Sequence, residues 1–77
     1  MPTKERTTAM PYINIQVTDE HVTNAQKEAL IKGATDLMVN ILGKDPQVTH
    51  VVIDEISTDN WGVGGQQVTK IRKAQSA

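Results

Sequence analysis

Met10-Pro11 is the pair of residues that carries the most chemistry in this chain. If translation starts at Met10 and that methionine is removed, Pro11 presents a free secondary amine. If the chain starts at Met1, the same nitrogen sits in an amide and has no basicity. A free α-amino group titrates at about 8 in water. Burial among apolar groups disfavours the cation, and a drop of about one unit leaves roughly half of the amine unprotonated at neutral pH. Such an amine can shuttle a proton as a general base, or attack a carbonyl and form an iminium. The simpler reading is that a proline merely opens a strand, as prolines often do.

The other residues with chemistry are few. There is no cysteine, which removes disulfides and thiolate metal sites. His21 and His50 are the two histidines, and no carboxylate–histidine spacing resembles a metal site. No metal and no cofactor is expected. His50 opens an apolar run and could donate to an oxyanion or sit on a surface or interface; His21 reads as a loop residue. Trp61 is the single tryptophan, an interface anchor or a pocket wall. Asp54 and Glu55 are adjacent on a strand and face opposite ways, so they cannot act as a paired acid and base. One of them is expected to pair with a lysine. Gly62-Val63-Gly64-Gly65 is no phosphate loop, because no helix is signalled after it.

These residues must be positioned by a small frame. In Tyr12 to Val17, Ile13, Ile15 and Val17 alternate with Tyr12, Asn14 and Gln16, the period of a strand. Thr23-Asn24-Ala25-Gln26 has the form of a capping box, and a helix is expected from about Asn24 to Leu42. Its apolar stripe is Leu30, Gly33, Ala34, Leu37, Met38, Ile41 and Leu42. Gly33 in that stripe suggests a close approach of helix backbone to sheet. Gly43 suits a left-handed cap, followed by Pro46. Thr49 to Ile56 is a second strand, apolar enough to be covered on both faces. Strand, helix, strand predicts parallel strands with a right-handed crossover. Trp61 to Gly65 reads as a tight turn or short hairpin, and Val68 to Lys73 as a further strand or a frayed tail.

The fold class is therefore α+β, a single βαβ unit with a short C-terminal hairpin. Residues 1–10 form a flexible arm, an upstream start or a tag remnant; residues 11–73 form the domain; residues 74–77 are a tail. One helix and two strands cannot close a core at this length, and with no disulfide or metal the remaining aid is self-association through shared sheets. A homo-oligomer is expected. Eight basic against nine acidic residues give no electrostatic case for nucleic acid, and Lys70-Ile71-Arg72-Lys73 reads as a solvated tail. No apolar run suits a membrane span or a signal peptide, which points to the cytoplasm.

Read together, Met10-Pro11-Tyr12-Ile13-Asn14-Ile15, Gln26-Lys27, Leu30-Ile31, Val52-Ile53-Asp54-Glu55-Ile56 and Asn60-Trp61-Gly62-Val63-Gly64-Gly65 resemble the small 4-oxalocrotonate tautomerase family. The likeness runs from Pro11 to Lys73. It implies βαβ units paired into dimers and assembled into hexamers, and an isomerase (an intramolecular oxidoreductase) that moves a proton between oxygen and carbon of a small enol or keto acid. It implies Pro11 as catalytic base, Trp61 in the apolar pocket and His50 at the position of a substrate-binding arginine. Better-known members carry a further arginine in the loop after the first strand. Thr18 to Thr23 holds none, and the chain's arginines are Arg6 and Arg72. The departure favours a less charged enol over a dicarboxylate. The alternative is a non-catalytic oligomeric member in which Pro11 stays capped.

Overall fold

A computed structural model describes residues 10–76, with side chains through Gln75. The expected arm therefore lies outside the described residues except for Met10, and Arg6 lies outside them entirely. Strand β1 (Tyr12–Thr18) and strand β2 (His50–Ile56) pair in parallel, in a register running from Tyr12↔His50 to Thr18↔Ile56. Helix α1 (Asn24–Leu42) makes the crossover between them.

The boundaries of α1 are set by local chemistry. The Thr23 hydroxyl accepts from the Gln26 amide at 3.1 Å, and the Gln26 side chain accepts from the Thr23 amide at 2.9 Å. Two of the orphan donors at the helix start are thus satisfied reciprocally. At the other end Gly43 adopts φ 66°, where a side chain would be strained, and its amide reaches back to Val39 at 3.0 Å. Pro46–Val48 then form one 3₁₀ turn, capped by the Asp45 carboxylate on the Gln47 amide, which delivers the chain to β2.

Alternation on the strands divides the sheet into two faces. Ile13, Ile15 and Val17 of β1 and Val51 and Ile53 of β2 are half-buried, as are Ala34, Thr35, Met38 and Val39 of α1. Lys27 of α1 reaches Glu55 at 2.6 Å, the expected carboxylate–lysine pair. The opposite face lies open: Tyr12 is 62% exposed and Val52 41%. The covering of both faces expected for β2 is therefore absent from a single chain. Gly33 also departs from expectation, because a Cβ added there would meet nothing within 4 Å. Its place in the stripe reflects no approach to the sheet of its own chain.

The C-terminal segment is where the fold differs most from the sequence reading. Strands β3 (Gly62–Val63) and β4 (Gln66–Gln67) form the hairpin, turned by Gly64 and Gly65, both at positive φ. Residues Val68–Ser76 then form helix α2, neither strand nor frayed tail. Val68 is the only buried hydrophobic residue among those described, at 5% exposure. Its amide donates to the Trp61 carbonyl at 2.8 Å, and the Thr58 and Thr69 hydroxyls bond at 2.6 Å. These contacts hold α2 against the 3₁₀ turn Thr58–Asn60. With so little fully buried, and with Leu37, Ile41 and Leu42 also exposed, the chain needs other surfaces to cover it.

Candidate active site

The amino ends of both parallel strands meet at Pro11. A proline is tolerated there because the residue that opens the strand need not donate to the ladder. Pro11 is half-buried, and its carbonyl accepts from the His50 amide at 2.9 Å. Tyr12 and His50 stand opposite each other in the register, both exposed. On the same open face Asn14 donates to the Asp54 carboxylate at 2.9 Å, with Val52 beside them. Thr49 is tied to Asp45 through its hydroxyl at 2.9 Å, so the start of β2 is anchored from behind. The structure thus brings two of the three sequence-derived site residues, Pro11 and His50, to one end of the sheet.

Trp61 lies at the other end. It is half-buried and walls a cleft of about 430 Å³, lined also by Val17, Thr18, Val63, Val68, Ile71 and Arg72. A seven-residue strand at about 3.3 Å per residue separates Pro11 from this cleft by roughly 20 Å. A single chain therefore does not place Pro11 and Trp61 around one small molecule.

Arg72 is the site residue that sequence reasoning missed. Its segment reads as solvated tail, but α2 carries the guanidinium back over the carboxyl end of β1. There its Nε donates to Glu20 at 2.8 Å and its Nη2 at 3.3 Å. The Arg72 hydrogen bond, followed by one from the Thr18 hydroxyl, holds the Glu20 carboxyl down to about 2. Glu20 in turn pushes the guanidinium further up. The loop is bent to present Glu20: Asp19 donates its amide to the Ile56 carbonyl at 2.8 Å, and His21 adopts a positive φ of 69°. That conformation is uncommon for a side-chain-bearing residue, though less so for histidine. His21 is a loop residue, as expected. The spacing of Val68 and Ile71 was the available signal for α2, since residues three apart share a helix face.

A parallel two-stranded βαβ unit, a strand opened by proline and an aromatic-walled cleft at the far end together define a small tautomerase-type protein. The family model described as "Tautomerase enzyme" matches residues 11–71, and the chain belongs to that family. It is 52% identical over 67 residues to "Probable tautomerase K2" of Dickeya dadantii, covering 87% of this chain and all of that protein. It is 33% identical over 51 residues to the 2-hydroxymuconate tautomerase of a Pseudomonas strain, covering 66% of this chain and 81% of that one. Its fold matches the crystal structure of DmpI from Helicobacter pylori with a TM-score of 0.77 at 43% identity, covering 82% of this chain and 97% of the other. These likenesses support the 4-oxalocrotonate tautomerase family within this class. One neighbour of the same fold, a fused 4-OT matched with a TM-score of 0.72 at 28% identity over 78% of this chain and 49% of that one, is an asymmetric trimer. Among the described residues, no helix is long and apolar enough to cross a membrane.

Proposed function

We propose that this protein catalyses keto–enol tautomerisation of a small enol acid, with the amine of Pro11 as general base once the residues before it are removed. The observation that carries this reading is the position of Pro11. It is half-buried at the head of β1 in a chain whose family match begins at that residue. The nitrogen takes the proton of the enol hydroxyl, the electron pair of the O–H bond re-forms the carbonyl, and the same nitrogen delivers the proton to carbon. One proton leaves oxygen and one arrives at carbon, so the enzyme is restored without a co-reactant.

The base is one part of the barrier. Charge that develops on the substrate oxygen needs a donor, often the larger contribution. His50, fixed beside Pro11 by the backbone bond, is that donor. The apolar wall comes from Trp61 of a neighbouring copy, because the Trp61 of the same chain stands at the far end of β1. A homo-oligomer built from dimers, in the form of a hexamer, supplies this arrangement and covers Tyr12 and Val52. We place the protein in the cytoplasm, with no cofactor, no nucleic acid and no membrane as partner.

A second reading has one observation in its favour: while Met10 remains attached, the Pro11 nitrogen is an amide. The protein is then a non-catalytic oligomeric member of the same family, which assembles normally and turns over no enol.

Protein beginning at Pro11 is expected to ketonise an arylenolpyruvate, and Pro11→Ala to lose about 10²-fold or more of the rate. Equal rates for the two proteins would overturn the proline mechanism.

A further inference from the structure

We propose that Arg72 is the carboxylate-binding residue of the Trp61 cleft, and that the cleft takes a ligand with one carboxylate on an apolar, conjugated body. The inference rests on the reading above for the identity of the reacting molecule, but its binding chemistry stands on the cleft itself. Arg72 lies on α2, and α2 is held in place by the Val68–Trp61 backbone bond and the Thr58–Thr69 hydroxyl pair. The guanidinium is not left to wander on its long stem. Glu20 accepts from Nε and from one hydrogen of Nη2, which fixes the plane of the fork.

A guanidinium has five N–H donors. Glu20 engages two of them, and among the described residues no further partner of Arg72 is recorded, so three remain for a ligand. The Arg72 side chain is 52% exposed, so the pair with Glu20 does not bury it. A planar fork of charged donors suits a carboxylate better than it suits a carbonyl or hydroxyl. Around it the cleft is mostly apolar: Val17, Val63, Val68 and Ile71 line it, the indole of Trp61 offers a flat surface, and the hydroxyl of Thr18 is already given to Glu20. One cation, in a lining whose other polar side chain (Thr18) is bonded to Glu20, suits one carboxylate on an unsaturated body. Because Glu20 already offsets part of the positive charge, a second carboxylate gains little here.

The cleft also explains how a chain with no arginine in the Thr18–Thr23 loop brings a cation to that loop. Glu20, itself a loop residue, captures Arg72 from 52 positions away. Glu20 is a positioning residue in this account and Arg72 the binding one.

Calorimetric titration of the assembled protein with trans-cinnamate and with cinnamamide tests the proposal without requiring turnover. The two ligands share a body and differ in charge. Wild-type protein is expected to prefer the acid by about tenfold or more, as a charge-assisted contact does. Arg72→Ala should bring cinnamate down to the affinity of cinnamamide and leave the amide unchanged, with Arg72→Lys in between. Far-UV circular dichroism checks that α2 survives; if Arg72→Ala unfolds it, the acid-to-amide ratios of wild type and Arg72→Lys decide. Equal binding of acid and amide by wild type, or of acid by wild type and the arginine variants, would overturn the assignment. An active enzyme without the acid preference removes Arg72 and keeps Pro11. Acid preference in a protein that turns over no enol does the reverse.

Discussion

The His50 amide donates to the Pro11 carbonyl at 2.9 Å, so the amino end of β2 is pinned to the residue that opens β1. The bond is backbone to backbone and survives any change of the His50 side chain. His50→Ala therefore removes the imidazole without loosening the strand. It is expected to lower turnover by about 10²-fold, the usual cost of one oxyanion donor, while light scattering shows the same assembly. Unchanged turnover would make His50 an ordinary surface residue.

Glu20 and Arg72 give a pH dependence of definite sign. The Glu20 carboxyl is held at about 2 in the folded chain against an ordinary 4.5. A depressed carboxyl stabilises the fold above its unfolded value and ceases to do so as pH falls through its folded value. The melting temperature of wild type should exceed that of Glu20→Gln at pH 6. The gap should narrow from about pH 4.5 downward and close near pH 2. The pair is exposed, so the gap is small. An equal difference at both ends of that range would contradict the ion pair as its source.

Thr23→Ala removes the hydroxyl half of the capping box and leaves the Gln26 amide without its partner. The expected loss is about 1 kcal/mol in urea unfolding. No loss would show that the cap contributes nothing to the stability of α1.

Val52 lies at the centre of the open sheet face, between Asn14 across the register and Asp54 along the strand. A charge there cannot be buried against another copy without a large desolvation cost. Val52→Asp is expected to dissociate the oligomer in sedimentation velocity. An intact assembly would place the interface away from this face.

The βαβ frame was legible because each of its signals is local. Thr23 and Gln26 lie three residues apart, Gly43 sits directly after the last helical residue, and Ile13, Ile15 and Val17 alternate within one strand. Helix α2 was not legible for the opposite reason. Its opening residues, Val68 and Thr69, are β-branched and favour a strand, and the helix forms because Trp61, Thr58 and Glu20 hold it from elsewhere in the chain. Arg72 therefore looked like tail. Pro11 and Trp61 could each be marked as site residues from their types. Their separation by the length of β1 appears only once the parallel register is fixed.

The central claim is that a free Pro11 amine is the base. Its most direct test is the rate of arylenolpyruvate ketonisation by two proteins of verified mass, one beginning at Pro11 and one beginning at Met1. Turnover is expected of the first and a rate near background of the second. Equal turnover by both would contradict that claim, because an amide nitrogen cannot carry the proton.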